Sequence, residues 1–437
     1  MKKFKHLLLS VVLVAISAYV YSQQWQDVTP AGFVHGIYSN SFLNNNQGWL
    51  CARDSSQSNS AMILHTSNAC LDWDTCYTFQ GGMHFARIQM IDCLIGYGAG
   101  GYELPVFRRT TDGGHTWQDI TDPILMQNGG PLDQSTAFFF VSADTGFYGG
   151  VHSLYRTVNG GLSWSKVEIP PDALPSTPEM SEYRINEIYF SGSKCGWASG
   201  IGWYSCILKT TDGGQTWQLA HTGGSGTYRS LHFINCNRGG FLVNTSYTPY
   251  FVATPDNFDS VYYHSFYGIP FTPMALCFQN DSVVWVGGWP EGLILRSTDS
   301  GLTFDTINPN GISPYDFGVS SITFFENTGY AIGSHVFKYI DTLNTAIHQI
   351  PFAENKLSIY PNPSSGKINL NLISQKSETA ELRIYATDGR CVWKKSERIL
   401  AGENKFHYSF DWLKPGSYMM EIAGARYITS QKFILRR

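Results

Sequence analysis

Charged residues are scarce in this chain of 437 residues. Lys and Arg number 30 and Asp and Glu number 34, together 15% of the sequence, and the formal net charge is −4. Without a long basic run, the chain lacks the means of neutralising phosphates, which argues against a nucleic-acid partner. Disorder is excluded because the hydrophobic fraction, 43%, is that of a folded protein.

Long hydrophobic runs are missing everywhere except at the N-terminus. There, three lysines within the first five residues precede the apolar run 7–20, and the small residue Ser22 follows. This order is typical of a secretory signal, which we assign to residues 1–22, with cleavage after Ala18 as the second choice. An amphipathic first helix is the alternative. We expect no transmembrane segment in the mature chain.

The nine cysteines contain no C-x-x-C pair and no Cys/His cluster with zinc spacing, so the sequence predicts no metal site. Catalytic signatures such as G-x-S-x-G and phosphate-binding glycine loops are also missing, and we expect no cofactor. In an exported chain the cysteines can form disulfides. Two close pairs are candidates, Cys70 with Cys76 and Cys195 with Cys206, and free buried thiols are the alternative.

Turn-forming and aromatic residues are abundant, with 43 Gly, 25 Tyr, 27 Phe and 12 Trp. They recur in an eight-residue turn motif. Its clear copies are TTDGGHTW at 110–117, TVNGGLSW at 157–164, TTDGGQTW at 210–217 and STDSGLTF at 297–304; weaker copies are TSNACLDW at 66–73 and TPDNFDS from 254. Their spacing of roughly 41 to 53 residues is that of a four-stranded propeller blade.

A Gly-aromatic step precedes most copies of the motif, as at Gly48-Trp49 and Gly196-Trp197, and divides the chain into seven units. The seventh unit, Asn327–Ile340, has no turn motif and no last strand. The mature N-terminus reads WQDVT, a copy of the strand WQDIT that follows the 110–117 motif. We therefore expect the N-terminal strand to complete the seventh unit, which removes the open sheet edges.

The turn motif has a structural explanation. Its Asp or Asn accepts backbone N–H bonds within the turn, its glycines supply positive φ, and its final aromatic ring packs between sheets. We assign this structural role, and no catalytic role, to the third and eighth residues of the clear copies: Asp112, Trp117, Asn159, Trp164, Asp212, Trp217, Asp299 and Phe304.

These repeats resemble the Asp-box, or BNR, repeat, and their sevenfold arrangement is similar to the propellers of photosystem II assembly and stability factors. The resemblance implies an all-β chain with a seven-bladed β-propeller at residues 23–340. Sialidases and some endoglucanases also carry Asp-boxes, so the motif indicates the fold and leaves the chemistry open.

After a polar linker at 341–355, residues 356–437 alternate apolar and polar residues, which predicts a small antiparallel β-sandwich. The features YPNP at 360–363, the Asp388-Gly389 turn, LKPGSY at 413–418 and the basic end resemble the type IX secretion C-terminal sorting domain of Bacteroidetes. This resemblance implies the type IX machinery as a partner, export to the cell surface or medium, and removal of the module. An ordinary adhesive sandwich is the alternative.

Candidate ligand-binding residues come from an alignment of the innermost strands. It places Arg87, Arg184 and Arg229 near strand starts, with Tyr183 and Tyr228 just before two of them. Arginines beside aromatic rings at one channel mouth suit carboxylate or phosphate groups. Local ion pairing, for example between Arg184 and Glu187, is the alternative.

For function, the sequence favours a secreted, non-catalytic propeller that binds a protein or a glycan. A secreted glycoside hydrolase, sialidase-like or endoglucanase-like, is the alternative, and it requires two carboxylates across a cleft. Candidates in predicted loops are Asp133, Glu182, Glu291 and Asp316, but no motif pairs them. The sequence identifies neither the ligand nor the oligomeric state.

Overall fold

The fold is described from a computed structural model of the chain. It covers residues 25–436 except 31–35, 54–60, 80–83, 101–105, 128–136, 151–152, 171–183, 202–204, 224–225, 246, 270–271, 290–292, 308–317, 341–356, 375–376, 388–389 and 425–427. The proposed signal at 1–22 and linker at 341–355 therefore lie outside the described residues. The chain divides into two compact units, Met1–Leu343 and Asn344–Arg437.

The first unit contains seven four-stranded antiparallel sheets among its described residues. Each is named by its order in the chain, and its strands are given from the innermost outward. The first sheet has β2 (Ile37–Phe42), β3 (Gly48–Arg53), β4 (Ala61–Thr66) and β5 (Asp74–Thr78). The second has β6 (Phe85–Met90), β7 (Gly96–Gly100), β8 (Val106–Thr110) and β9 (Gln118–Asp119), followed by the short helix α1 (Pro123–Gln127).

The middle sheets repeat this plan. The third has β10 (Ala137–Phe140), β11 (Gly146–Gly150), β12 (Ser153–Thr157) and β13 (Ser165–Val167). The fourth has β14 (Arg184–Ser191), β15 (Cys195–Ile201), β16 (Cys206–Thr210) and β17 (Gln218–Thr222). The fifth has β18 (Thr227–Phe233), β19 (Gly239–Asn244), β20 (Tyr250–Thr254) and β21 (Tyr262–Ser265). The sixth has β22 (Thr272–Phe278), β23 (Val284–Trp289), β24 (Ile294–Ser297) and β25 (Asp305–Thr306).

The seventh sheet closes the ring with strands from both ends of the unit. Its strands are β26 (Val319–Phe325), β27 (Thr328–Gly333), β28 (Val336–Ile340) and, outermost, β1 (Trp25–Asp27). Trp25 pairs with Tyr339 and Asp27 with Phe337. This confirms the closure expected from the copied WQD sequence, and the first unit is the predicted β-propeller.

The propeller core consists of separate apolar clusters between neighbouring sheets. Between the sixth and seventh sheets, the buried ring of Trp25 lies edge-on to Trp285, with ring centroids 5.5 Å apart, and 5.2 Å from Tyr339. Between the fourth and fifth, Trp197 stacks on Phe233 at 3.8 Å. Because such aromatic clusters fill the space between neighbouring sheets, the aromatic-rich composition stabilises the ring.

The second unit is a small β-sandwich. One sheet has the order β29 (Leu357–Tyr360), β30 (Lys367–Ser374), β33 (Gly402–Ser409); the other has β32 (Cys391–Ile399), β31 (Glu378–Ala386), β34 (Gly416–Ala423), β35 (Ile428–Leu435). Both sheets contribute to one apolar core that includes Leu370, Leu382 and Phe433. The Asn362 side chain bonds the backbone of β35 at Lys432 and Ile434, so the YPNP segment covers the edge of that strand.

Candidate functional site

A cavity of about 680 Å³ occupies the centre of the propeller. The innermost strands of all seven sheets contribute to its wall, which is the arrangement that gives propellers a central channel. Its size is that of a small-molecule or side-chain site. Most of the loops that lead into the innermost strands lie outside the described residues, and with them the carboxylates Asp133, Glu182 and Asp316. Glu291, between β23 and β24, also lies outside the described residues.

A β-bulge recurs on the innermost strands and changes which side chains face the cavity. The pairing register shifts on six of the seven strands, between Ile37 and Ser39, Phe85 and Arg87, Ile185 and Glu187, Arg229 and His232, Pro273 and Ala275, and Val319 and Ser321. Bulges redirect side chains and occur often beside functional sites.

An ion pair crosses the third sheet inside the cavity. Arg87 Nη2 of the second sheet lies 3.1 Å from Glu187 Oε1 of the fourth, and the two side chains are 31% and 23% exposed. The guanidinium carbon also lies 5.8 Å from the ring centroid of Phe138. Ala137 on the intervening strand is small and fully buried, which is consistent with the space that the pair needs.

The structural register corrects the alignment of the candidate arginines. Arg87 and Glu187 each lie three residues before the residue that faces the glycine of the Gly-aromatic step, so they are equivalent. Arg184 lies three residues before Glu187, opposite Ile201, and is not among the described residues that line the cavity. Arg229 lines the cavity and is exposed.

Of the two candidate tyrosines, Tyr228 lies within the described residues, and its side chain is buried. Tyr228 is 1% exposed and packs with its ring centroid 4.8 Å from that of Phe241, so its placement beside a ligand was wrong. Its side chain belongs to the apolar cluster between the fourth and fifth sheets. Tyr183 lies outside the described residues.

Polar side chains of the innermost strands join several of these strands to the next one. Gln89 donates to Phe140 O at 2.9 Å and accepts from Phe140 N at 2.8 Å. Met90 N donates to Ser41 Oγ, and Phe278 N donates to His232 Nδ1. These bonds satisfy backbone groups that the innermost edge strands leave unpaired within their own sheets. Burial lowers the pKa of His232 to about 4, so this imidazole acts as a neutral hydrogen-bonding group.

Each Asp-box turn directly follows the third strand of its sheet and leads into the outermost strand. In the second sheet, Thr116 N donates to Asp112 Oδ1 at 2.9 Å, Gly114 N donates to Thr110 Oγ1 at 2.9 Å, and the Trp117 indole donates to Gly114 O at 3.0 Å. The third residue of the turn accepts a backbone N–H in all six copies, at Asn68, Asp112, Asn159, Asp212, Asp256 and Asp299.

The final aromatic residues of the boxes pack between neighbouring sheets. Trp164 and Trp217 are buried, and Trp117 and Phe304 are partly buried against the clusters of the preceding sheets. None of these Asp-box residues is among the described residues that line the cavity. Their position in the turns is consistent with a structural role.

The basic side chains at the position directly before the Asp-box were missed by the sequence analysis. Lys209 donates to Cys236 O and Asn257 Oδ1 in the fifth sheet and lies 5.7 Å from the ring centroid of Trp197 in its own sheet. Arg296 lies 5.3 Å from the ring of Trp285 in the same way. The signal was available, because a basic residue or His directly precedes the first Thr or Ser in five boxes: His65, Arg109, Arg156, Lys209 and Arg296.

The disulfide prediction was wrong in its pairing. Cys195 bonds to Cys236, with a Cα–Cα distance of 5.3 Å, and so joins the fourth and fifth sheets. Cys206 lies opposite Gly200, five residues along the strand from Cys195. At about 3.3 Å per residue, that separation exceeds the reach of a disulfide.

The second proposed bridge is also not formed. Cys70 and Cys76 are both free thiols. Cys70 packs with Tyr330 of the seventh sheet, whereas Cys76 packs against the cluster shared with the second sheet. The two side chains therefore lie on opposite faces of the first sheet, and burial raises the pKa of each thiol to about 12.

The described residues show no group of three or more His, Cys, Asp or Glu side chains able to hold a metal ion. In the same part of the chain, no helix is long and apolar enough to cross a membrane.

Comparison with known proteins identifies the C-terminal unit and the propeller fold. Residues 358–436 match the family model described as the secretion system C-terminal sorting domain. No curated protein matches the sequence. The solved structure of YCF48 from Cyanidioschyzon merolae is 19% identical with a TM-score of 0.53, and the alignment covers 74% of this chain and 99% of that one.

Two further structures are similar. YCF48 bound to D1 peptide is 19% identical with a TM-score of 0.53, covering 72% of this chain and 97% of that chain. PorZ, a surface component of the type IX secretion system of Porphyromonas gingivalis, is 10% identical with a TM-score of 0.40, covering 93% and 82%. The chain is thus an exported β-propeller protein with a type IX C-terminal sorting domain, which directs it to the cell surface or the extracellular space.

Proposed function

We propose that this protein is a non-catalytic propeller that binds a protein or glycan ligand in its central cavity after export. The observation that carries the proposal is the composition of the cavity wall. Among the described lining residues, Glu187 is the single carboxylate, and it is paired with Arg87. Hydrolysis of glycosides uses two carboxylates on either side of the bond, so this wall supports binding without cleavage.

We assign one role to each of the four segments that the sequence analysis defined. Residues 1–22 direct export to the periplasm, 23–340 form the binding propeller, 341–355 link the two units, and 356–437 engage the type IX machinery before removal. The Asp-box residues serve the scaffold, since each carboxylate or amide is used by its own turn.

A protein of this fold can hold a ligand without added catalytic groups. YCF48, which shares the fold, was solved with a bound D1 peptide. In the present chain, Arg87 and Arg229 are the cations of the described cavity wall. Each can donate several hydrogen bonds to a ligand oxygen.

Calorimetric titration of the full-length protein tests the proposal. The panel contains neutral hexasaccharides of glucose, xylose, mannose and galactose, sialyllactose, and an acidic hexapeptide, and chromatography monitors product formation. We expect at least one ligand to bind without turnover, and Arg229→Ala to weaken it about tenfold, as for a lost charge-assisted hydrogen bond. Lys166→Ala removes an exposed cation from the outermost strand β13 and serves as the control.

Two outcomes would contradict the proposal. Binding that Arg229→Ala leaves unchanged would place the ligand elsewhere. Cleavage of a saccharide, lost in Glu187→Gln, would instead establish the hydrolase alternative.

A further inference from the structure

Uncharged hydrogen-bonding side chains are the largest class in the described cavity wall, and some of them, such as Gln89 and Ser41, also bond a neighbouring strand. Nine of the described lining residues are Ser, Thr, Asn or Gln: Ser39, Asn40, Ser41, Gln89, Asn186, Ser230, Ser320, Ser321 and Thr323. The charged ones are Arg87, Glu187 and Arg229, and the first two neutralise each other. An anionic ligand would therefore meet a single uncompensated cation in this part of the wall.

The Arg87–Glu187 pair retains capacity for hydrogen bonding. Nη2 of Arg87 donates to Oε1 of Glu187, and no other hydrogen bond joins either side chain to a described residue. The second carboxylate oxygen can accept a bond, and the remaining guanidinium N–H groups can donate. Neighbouring hydroxyls on a sugar ring match this ion pair, because one hydroxyl can donate to the Glu187 carboxylate while the next accepts from the Arg87 guanidinium.

Two aromatic side chains lie near the start of the innermost strands, where the bulges also occur. Tyr38 lines the cavity, is 37% exposed, and stacks on His84 with a ring-centroid distance of 3.9 Å, which fixes the plane of its ring. Trp289 is 62% exposed and lies beside Gly318, two residues before Ser320 of the cavity wall, so it is at the border of the described lining and not part of it. Exposed aromatic rings offer apolar faces to the C–H faces of sugars.

We propose that the ligand is an uncharged oligosaccharide, whose hydroxyls bond the polar wall and whose ring faces pack on Tyr38 and Trp289. This inference rests on the proposed function. A lipid would need an apolar wall, and an acidic peptide would need more free cations than the described wall provides.

The same panel, titrated into the full-length protein, tests the ligand class. We expect a neutral hexasaccharide to bind, whereas sialyllactose and the acidic hexapeptide do not. Tyr38→Ala and Trp289→Ala should each raise the dissociation constant at least tenfold. The matched controls are Tyr262→Ala on the outermost strand β21 and Trp412→Ala in the second unit, which are 52% and 58% exposed and should leave affinity unchanged.

Failure of the ligand class, of the site and of the proposed function would each give a different result. Binding of only the acidic peptide or sialyllactose, weakened by Arg229→Ala, would overturn the ligand class and leave the binding function standing. Neutral-sugar binding that is unaffected by both aromatic substitutions would overturn the site. If no member of the panel binds, both the ligand class and the proposed function are wrong.

Discussion

The carboxylates of the Asp-boxes carry a pH dependence that can be assigned residue by residue. The Thr216 hydroxyl and backbone N–H bond to Asp212 and lower its pKa to about 2, and Thr303 does the same for Asp299. Because each pKa is lower in the folded state than in the unfolded chain, these groups stabilise the fold above about pH 4. That contribution is lost as the pH falls toward 2.

We therefore predict that Asp212→Asn with Asp299→Asn flattens the fall in stability between pH 4 and pH 2. Asn keeps the turn, since Asn159 Oδ1 accepts the Ser163 N–H at 3.0 Å in the same position. Urea unfolding at several pH values measures the effect. Asp305→Asn, which removes an exposed carboxylate outside the boxes, is the control. An unchanged pH profile in the double variant would show that the turns do not perturb these acids.

At the scale of the element, all six box turns place two consecutive residues at positive φ, even where glycine is missing. In the first sheet these residues are Ala69 and Cys70, with φ of 62° and 67°. In the fourth sheet they are Gly213 and Gly214. The repeat thus imposes a left-handed conformation on L-residues that rarely adopt it.

We predict that Ala69→Gly stabilises the propeller by about 0.5–1 kcal/mol, because it relieves this conformation. The reverse change at the equivalent position, Gly213→Ala, should destabilise it, since a Cβ there would lie 3.1 Å from Ser193 O. Denaturant midpoints of both variants are the measurement. A destabilised Ala69→Gly variant would mean that the entropy of the unfolded chain outweighs the local strain.

The innermost strands show where sequence prediction stops. The boxes, the Gly-aromatic steps and the closing strand could be predicted because they recur at a fixed period. The cavity could not, because a bulge leaves no periodic signal and shifts the register by one residue. Arg184 was aligned with Arg87 from the sequence, whereas the pairing makes Glu187 the equivalent residue, because each lies three residues before the partner of the glycine in the Gly-aromatic step. Cys195 and Cys206 were paired by proximity in sequence, although the partner, Cys236, lies in the next sheet.

For the whole molecule, stability depends on the strand that closes the ring. We predict that Trp25→Ala costs about 3–5 kcal/mol, the range for truncating a buried large aromatic side chain. Trp25 is 3% exposed and contacts Trp285, Phe324 and Tyr339. Gln26→Ala on the same strand is exposed and should change stability by less than about 0.5 kcal/mol. Urea unfolding of the full-length protein compares them, and equal effects would contradict a closing role for β1.

The pairing of β1 with β28 also means that the propeller has no obligatory first blade. Trp25 lies opposite Tyr339, so the two ends of the ring run antiparallel side by side. A hairpin turn of a few residues could join Ile340 to Trp25, and the chain could begin instead at Thr227, where the fifth sheet starts. Such a circular permutant would convert the present non-covalent seam into a continuous hairpin and move the seam between two other blades.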